Sequence, residues 1–284
     1  MTRKFMIHTL FILCFLIGTI PSISYGQTVD SELKVEEMAL DGPIRVYNQA
    51  YQETYEKDVF SRILPEAVDA YVLVDPDEIS DEILMQLQVN GNQVAAYMNI
   101  GTAESWRSDF KDLKPFTSQN EWALWKDEYF YKSINNRLIN LMKLRIDALA
   151  ERGFDWVEFD NMDFAFDALN RVRYGIYVED EGAIQYYQTL CTYAQEKGLK
   201  VMAKNTTRGA ETFDGVTYES YEYDIDWWIA EELQTFLANG KLGIIVHYDA
   251  ENPAMIFQTY REQYGHNLSF ISESKSLRQY VHFN

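Results

Sequence analysis

The sequence predicts an α/β protein built as a single (β/α)8 barrel. Eight short runs rich in β-branched and aromatic residues alternate with longer segments in which apolar residues recur at helical spacing. Glycine follows a helical segment and precedes a strand at four places, where a left-handed helix C-cap belongs. Eight such strands over ~250 residues favour a closed barrel. A doubly wound open sheet, the alternative, normally has fewer strands, and no glycine-rich phosphate loop supports it.

The elements follow one another without an interrupting linker or repeat. The predicted strands cover residues 44–49, 70–75, 94–100, 156–160, 200–205, 215–219, 242–248 and 267–272. The predicted helices cover residues 80–88, 135–152, 184–197, 226–239 and 253–263. The capping glycines are Gly153, Gly198, Gly240 and Gly265.

Side-chain alternation assigns the two faces of the predicted strands. In the strand at 156–160, Val157 and Phe159 lie on one face, whereas Glu158 and Asp160 lie on the other. The same alternation runs through the strands at 94–100, 200–205 and 215–219. We expect the apolar face to pack on the helices, while the other face becomes more polar toward the carboxyl end of each strand.

Polar side chains end six of the predicted strands: Asp75, Asn99, Asp160, Lys204 with Asn205, Glu219 and His247. One such Asp would mean little, because Asp also begins turns and caps helices. Six polar ends together predict a functional site, since barrels of this kind carry their chemistry at the carboxyl ends of the strands. The segments 101–131 and 164–180 are expected to form its walls.

The amino terminus is typical of an export signal. A basic start, an apolar run over 5–20 and small residues just before Gln27 predict that residues 1–26 are a cleaved signal peptide. The short apolar core argues against an uncleaved anchor. Residues 27–284 would then form one secreted or periplasmic domain. Cys191, its only cysteine, can form no intrachain disulfide and is expected to be a buried thiol.

The chain is strongly acidic, with 25 Lys and Arg against 44 Asp and Glu and a formal net charge of −19. Its field repels nucleic acid and anionic membranes, so neither is an expected partner, whereas cationic ligands are favoured. Solubility alone is the other interpretation of the same charge.

Several classes of chemistry are disfavoured by missing motifs. After removal of residues 1–26 the histidines are His247, His266 and His282, and no two have the spacing of zinc ligands. No Gly-x-Ser-x-Gly elbow, Walker loop or dinucleotide fingerprint is present. The run 160–163 lacks the glycine and the distal Glu of a calcium loop. We therefore predict no metal and no cofactor.

The remaining inventory suits glycoside hydrolysis. That reaction needs one carboxyl group to protonate the leaving oxygen and a second, ionised, to attack the sugar or activate water. Lys204, on the strand between those of Asp160 and Glu219, would hold a neighbouring carboxylate ionised. Aromatic side chains could stack on sugar faces, although core packing is the default for each. These aromatic residues are Tyr97, Trp106, Trp156, Tyr218, Tyr221 and Tyr248.

Three motifs carry a family resemblance. Residues 97–109 hold a Tyr, then Gly, Glu and Trp-Arg-x-Asp; residues 153–163 read Gly-x-Asp-x-Val-Glu-x-Asp-Asn-x-Asp. Residues 198–205 begin Gly-Leu and end Lys-Asn. Over nearly the whole mature chain the sequence resembles glycoside hydrolase family 114, the endo-α-1,4-polygalactosaminidases. The resemblance implies a (β/α)8 fold and hydrolysis of α-1,4-linked galactosamine polymers.

The resemblance also implies roles for individual residues. The aspartate of the family's Asp-Asn pair falls on Asp160, as nucleophile or charge stabiliser, and a later glutamate falls on Glu219, as general acid/base. The family usually continues Glu-Gln-Cys there, whereas this chain reads Glu219-Ser220-Tyr221, so Glu222 is an alternative; side-chain alternation favours Glu219. The missing cysteine removes any disulfide that relatives form there.

The expected substrate is a polysaccharide of amino sugars, cationic where it is deacetylated and attracted by an acidic mouth that includes Asp163. The predicted substrate-binding residues are Asp75, Tyr97, Asn99, Glu104, Arg107, Glu158, Asn161, Lys204, Asn205, His247 and Tyr248. Two alternatives stay open at this point. The chain could be a sugar-binding barrel without turnover, or a hydrolase of another glycan on the same scaffold.

Overall fold

Eight parallel strands pair side by side in chain order and form the barrel sheet. The structure is a computed structural model that describes residues 45–47, 59–221, 227–265, 268–274 and 280–283. The barrel strands are β1 (Arg45–Tyr47), β2 (Ala70–Val74), β3 (Gln93–Asn99), β6 (Trp156–Asp160), β7 (Lys200–Lys204), β8 (Gly215–Tyr221), β9 (Leu242–Tyr248) and β10 (Leu268–Glu273). Strand β1 also lies beside β10, which curls the sheet into a (β/α)8 barrel and confirms the predicted fold class.

Three further strands lie outside the parallel set. A separate antiparallel hairpin pairs β4 (Thr102–Glu104) with β5 (Glu128–Phe130), and β11 (Tyr280–Phe283) pairs antiparallel with β10. The sequence did not predict the hairpin, because strands of three residues are too short to show alternation. It follows directly on β3 and therefore stands at the carboxyl end of the barrel.

Helices cover the outside of the sheet. They are α1 (Asp81–Val89), α2 (Phe110–Leu113), α3 (Asn136–Arg152), α4 (Ala168–Tyr174), α5 (Asp180–Glu196), α6 (Ala230–Ala238) and α7 (Pro253–Tyr264). Short turns of π- and 3-10-helix occur at Val59–Ile63, Lys114–Phe116 and Met162–Ala165. The side chain of Asn135 caps α3 by accepting from the backbone N–H of Arg137 and Leu138, and Gly153 ends it with a φ of 87°. No helix separates β7 from β8, since the intervening residues 205–214 form only turns.

The alternation of the strands divides the apolar side chains into two cores, as the sequence predicted. Trp156 and Tyr97 belong to the core inside the barrel, whereas Val157, Phe159 and Val216 belong to the larger core between sheet and helices. The inner core consists of Val46, Tyr71, Leu73, Ala95, Tyr97, Trp156, Met202, Leu242, Ile244, Val246, Tyr248 and Ile271. Residues that follow the inner pattern to the carboxyl end of a strand therefore reach the barrel mouth.

Some predictions fall outside the described residues. These are the signal peptide over 1–26, the ends of the first strand on either side of β1, and Glu222, the alternative to Glu219. None of the described helices is long and apolar enough to span a bilayer.

Candidate active site

The amino group of Lys204 brings three carboxylates together at the carboxyl end of the barrel. Its Nζ lies 3.4 Å from Oδ1 of Asp160, 3.3 Å from Oε1 of Glu219 and 3.8 Å from Oε1 of Glu158. Burial alone would lower the pKa of Lys204, but the three carboxylates outweigh it and raise that pKa well above its usual range. Lys204 is therefore a fixed positive charge, and the sequence placed it correctly between the two proposed catalytic strands.

Asp160, the last residue of β6, is held from its other side by β3. The hydroxyl of Tyr97 donates to Oδ2 of Asp160 at 2.8 Å and accepts from Nδ2 of Asn99 at 3.2 Å. With Lys204 on Oδ1, both oxygens of the carboxylate have donors. These two contacts fix the orientation of the group.

Glu219 on β8 is fixed by neighbours on both adjoining strands. The hydroxyl of Tyr248 donates to Oε1 at 3.0 Å, and Nδ2 of Asn205 donates to Oε2 at 3.3 Å. Asn205 also accepts from the backbone N–H of Glu219 at 2.9 Å. Asn205 adopts the left-handed conformation, with φ 60°, directly after β7, which turns its amide back over the neighbouring strand.

Asp160 and Glu219 face each other across one cleft. Because both oxygens lie beside the same nitrogen, Oδ1 of Asp160 and Oε1 of Glu219 can be no more than about 6.7 Å apart. Separations of this order are found between the carboxyl pairs of glycoside hydrolases. This is the arrangement expected from the sequence, although the two residues stand far apart in the chain.

The chain turns sharply over the tip of β6. Asn161 has a φ of 58°, and its backbone carbonyl lies so close to Gly101 that a Cβ at Gly101 would collide with it. Glycine at 101 therefore lets the loop after β3 pass directly over the β6 tip. This close packing sets the position of the hairpin that follows.

Glu158 lies one layer below the other two carboxylates and is fully buried. Burial raises its pKa to about 7, although Lys204 and the hydroxyl of Thr217, which donates to Oε2 at 2.9 Å, work in the opposite direction. Glu158 lies beneath the cavity floor and has no direct access to a bound sugar.

Arg107 binds both Asp75 and Glu104 at the side of the mouth. Arg107 makes two bonds to Asp75, at 2.6 and 2.8 Å, two to Glu104, at 2.9 and 3.2 Å, and one to Asp77 at 2.8 Å. Its guanidinium carbon lies 5.8 Å from the centre of the Tyr97 ring. The predicted substrate-binding trio thus forms an ionic brace behind Tyr97, and none of its members borders the cavity at Asp160 and Glu219.

The mouth of the barrel holds a cavity of 410 Å³. Its described lining consists of Tyr97, Trp122, Trp125, Glu128, Asp160, Asn161, Asp163, Asn205, Glu219, Tyr221 and Trp227. Of the predicted site residues, Tyr97, Asp160, Asn161, Asn205 and Glu219 border it, while Asn99, Glu158, Lys204 and Tyr248 support it from below. Segment 101–131 supplies a wall as expected, but no residue of 164–180 does.

Sequence reasoning missed Trp122, Trp125, Glu128 and Trp227. Three of them lie on or beside the unpredicted hairpin, and the density of aromatic residues in 101–131 was the available signal. Trp125 and Trp227 are 47% and 49% exposed, so flat indole faces are open to a ligand. Of the aromatic residues proposed from sequence, Tyr97 and Tyr221 border the cavity, whereas Trp156 and Tyr218 are core residues.

His247 does not join the cavity, contrary to the sequence expectation. Tyr248, the next residue, follows the inner alternation of β9, so His247 points to the helix layer, where it is fully buried with its ring 6.4 Å from that of Phe270. The predicted strand end was correct, but the inner position at this end belongs to Tyr248.

Glu128 faces Glu104 directly across the hairpin. The hydroxyl of Thr102 donates to Oε2 of Glu128 at 2.7 Å, and Nδ2 of Asn99 donates to the same oxygen at 3.3 Å. Burial raises the pKa of Glu128 to about 7, opposed by the Thr102 bond and reinforced by the charges of Glu104 and Asp160. Like charges opposite each other destabilise a hairpin. Here Arg107 compensates Glu104, and the raised pKa of Glu128 favours its uncharged form.

Within the described ranges, no group of three His, Cys, Asp or Glu side chains is arranged to hold a metal ion. A (β/α)8 barrel whose strand ends present a lysine-bridged carboxylate pair in an aromatic cavity defines a glycoside hydrolase. The chain belongs to glycoside hydrolase family GH114, whose family model matches residues 49–283.

Solved structures share the fold. The chain is similar to Ega3 from Aspergillus fumigatus, solved in complex with galactosamine, with a TM-score of 0.68 and 16% identity over 86% of this chain and 96% of that one. It is also similar to the glycoside hydrolase domain of PelA from Pseudomonas aeruginosa, with a TM-score of 0.60 and 14% identity over 85% and 97% of the two chains. No curated protein sequence matches this chain.

Proposed function

We propose that this protein is an exported, endo-acting hydrolase of α-1,4-linked galactosamine and N-acetylgalactosamine polysaccharide. The observation that carries the proposal is the carboxylate pair of Asp160 and Glu219, bridged by Lys204 on the floor of an aromatic, acidic cavity. Membership of family GH114 and the galactosamine bound to the similar Ega3 fold support the choice of substrate.

In the proposed mechanism Asp160 attacks the anomeric carbon. Lys204 and Tyr97 each bind one oxygen of its carboxylate and fix its orientation. The glycosidic C–O bond breaks, and the leaving oxygen takes the proton of Glu219. Glu219, now ionised, then removes a proton from water, which attacks the anomeric carbon and releases Asp160. The completed cycle returns the two carboxyl groups to their starting states.

The geometry predicts that the configuration at the anomeric carbon is retained. Carboxyl groups ~5 Å apart act by double displacement, whereas an inverting pair ~6.5–9.5 Å apart leaves room for water. Oδ1 of Asp160 and Oε1 of Glu219 lie within about 6.7 Å of each other, below most of the inverting range, which supports the former. Proton NMR of the first product formed should show the α-anomer before mutarotation. A β-anomer as first product would contradict the assignment of Asp160 as nucleophile.

The cavity is also suited to a cationic polymer. Besides Asp160 and Glu219, the carboxyl groups of Asp163 and Glu128 border it, and the whole chain carries a net charge of −19. Ammonium groups of deacetylated galactosamine would be attracted by this field and could rest against the indole faces. The polymer is therefore expected to be a better substrate the more of its amino groups are free.

The test is product analysis after incubation of pure protein with α-1,4-linked galactosamine polymers of several degrees of acetylation. The expected result is a ladder of oligosaccharides that shortens with time, which identifies internal cleavage, with the fastest release from the more deacetylated polymers. Saturable binding without product would instead favour a non-catalytic sugar-binding barrel. Cleavage of a different glycan, with none of the galactosamine polymers cleaved, would mean that this other glycan is the substrate.

The proposal includes export. Residues 1–26 would be removed as a signal peptide, leaving 27–284 as one catalytic domain that is secreted or periplasmic. Sequencing the amino terminus of protein recovered outside the cytoplasm should give Gln27 first. A chain that starts at Met1 there would contradict cleavage.

A further inference from the structure

We infer that Glu128 recognises the amino group of the bound sugar and sets the preference for a free amine over an acetylated one. The inference deepens the proposed function and rests on it, since it assigns a specificity residue within the same cavity.

The carboxyl group of Glu128 is oriented by one oxygen and leaves the other for a ligand. Thr102 and Asn99 both donate to Oε2, which fixes the plane of the group. Within the described part of the chain, no donor bonds Oε1. Glu128 is 7% exposed and borders the cavity, so its small open area belongs to that site. An oriented, mostly buried acceptor selects its partner more strongly than an exposed one.

No Lys or Arg among the described residues forms an ion pair with Glu128. From β4, Glu104 lies opposite, but Arg107 already binds Glu104. On β3, the amide of Asn99 donates both to Glu128 and to the hydroxyl of Tyr97. On β6, Asp160 is already paired with Lys204. A cationic ligand would therefore supply the positive charge that this group does not receive from these neighbours.

The two protonation states of Glu128 suit two different ligands. The ionised carboxylate accepts hydrogen bonds from an ammonium group, whereas the protonated acid donates one to the carbonyl oxygen of an acetamide. Because burial raises the pKa of Glu128 to about 7, the acid form dominates below pH 7 and the carboxylate above it. The preference for the free amine should therefore grow as the pH rises through 7.

Asp163 is the matched comparison. It carries the same functional group and borders the same cavity, but its side chain is more exposed, and burial raises its pKa only to about 6, below that of Glu128. Recognition by Asp163 would accordingly be weaker. The difference in burial between Glu128 and Asp163 makes Glu128 the stronger selector.

The experiment compares galactosamine and N-acetylgalactosamine oligomers of equal length as substrates between pH 5.5 and 8. The measured quantity is the ratio of their kcat/KM values, in wild type and in Glu128→Gln. We expect the wild-type ratio, divided by the ratio for Glu128→Gln, to rise through pH 7 and to reach at least ~10 at pH 8. Titration of the substrate amine is common to both enzymes and cancels in the comparison.

Two further variants sharpen the result. Thr102→Val removes the bond that lowers the pKa of Glu128, so the rise in the ratio should move to higher pH. Asp163→Asn should keep the rise through pH 7. A role of Glu128 in hairpin stability alone would lower both kcat/KM values equally and leave the ratio unchanged.

The outcomes separate the inference from the proposed function. An unchanged ratio and pH dependence in Glu128→Gln, with polymer still cleaved, overturns the inference alone. Wild-type protein that cleaves neither oligomer overturns the proposed function. In that case calorimetric titration with galactosamine and N-acetylgalactosamine still decides the inference, because Glu128→Gln must lose any preference for the free amine.

Discussion

Replacing Asp160 by Asn or Glu219 by Gln is expected to lower kcat/KM at least ~100-fold and to leave the barrel folded. An amide in place of the Asp160 carboxylate could not attack the anomeric carbon. An amide in place of the Glu219 carboxyl group could neither protonate the leaving oxygen nor activate water. Both changes preserve volume, and Lys204 keeps at least two carboxylate neighbours in each variant. The loss should therefore appear in kcat rather than in stability.

The two roles can be told apart by the leaving group. In an aryl galactosaminide made with an acidic phenol, the phenolate leaves without being protonated. Glu219→Gln should therefore recover much of the rate of the first step on that substrate. Asp160→Asn should not recover, because it lacks the attacking group. Asp163→Asn is the matched control, since it removes a carboxylate from the same cavity that makes no contact with Lys204. Near-normal activity in either main variant would remove that residue from its role.

Alternation along the strands was enough to predict the floor of this site. Asp160, Lys204 and Glu219 occupy inner-facing positions at or near the carboxyl ends of their strands, and a barrel brings such positions together whatever their separation in sequence. The same rule gives a wrong residue when the last inner-facing position of a strand is assigned to the residue before the correct one. His247 is the example: it packs in the helix layer, and its neighbour Tyr248 reaches Glu219 instead.

The walls of the site could not be predicted in the same way. Glu128 and Trp125 owe their places to a hairpin whose position depends on the contact of Gly101 with Asn161, a tertiary feature without a period in the sequence. Arg107 and Asp75 were expected to touch substrate, but each instead binds the other. Composition shows that charged groups are present, and only the three-dimensional arrangement shows which are already paired.

Replacing Lys204 by Met is the change with the largest expected effect on stability. Met fills a similar volume but leaves Glu158, Asp160 and Glu219 together without their common cation. Removing one partner of a buried charge cluster typically costs about 3–5 kcal/mol of unfolding free energy. Activity should fall at least ~100-fold as well, because Asp160 would lose the cation that positions its carboxylate.

The pH dependence of this loss follows from the carboxylates that remain. In the wild type the pKa of Glu158 is raised from 4.5 to about 7, so the folded state binds its proton more tightly than the unfolded chain does. The free energy of unfolding therefore falls as the pH rises between these two values. Because Lys204 lowers the pKa of Glu158, that pKa rises further without it, and Lys204→Met should be destabilised much more at pH 8 than at pH 5.

Urea denaturation at both pH values measures this difference. Lys200→Met is the control, since Lys200 is exposed at the opposite end of β7 and lies over the Trp156 ring. Equal destabilisation of Lys204→Met at the two pH values would mean that lost packing, rather than unpaired carboxylate charge, causes the effect.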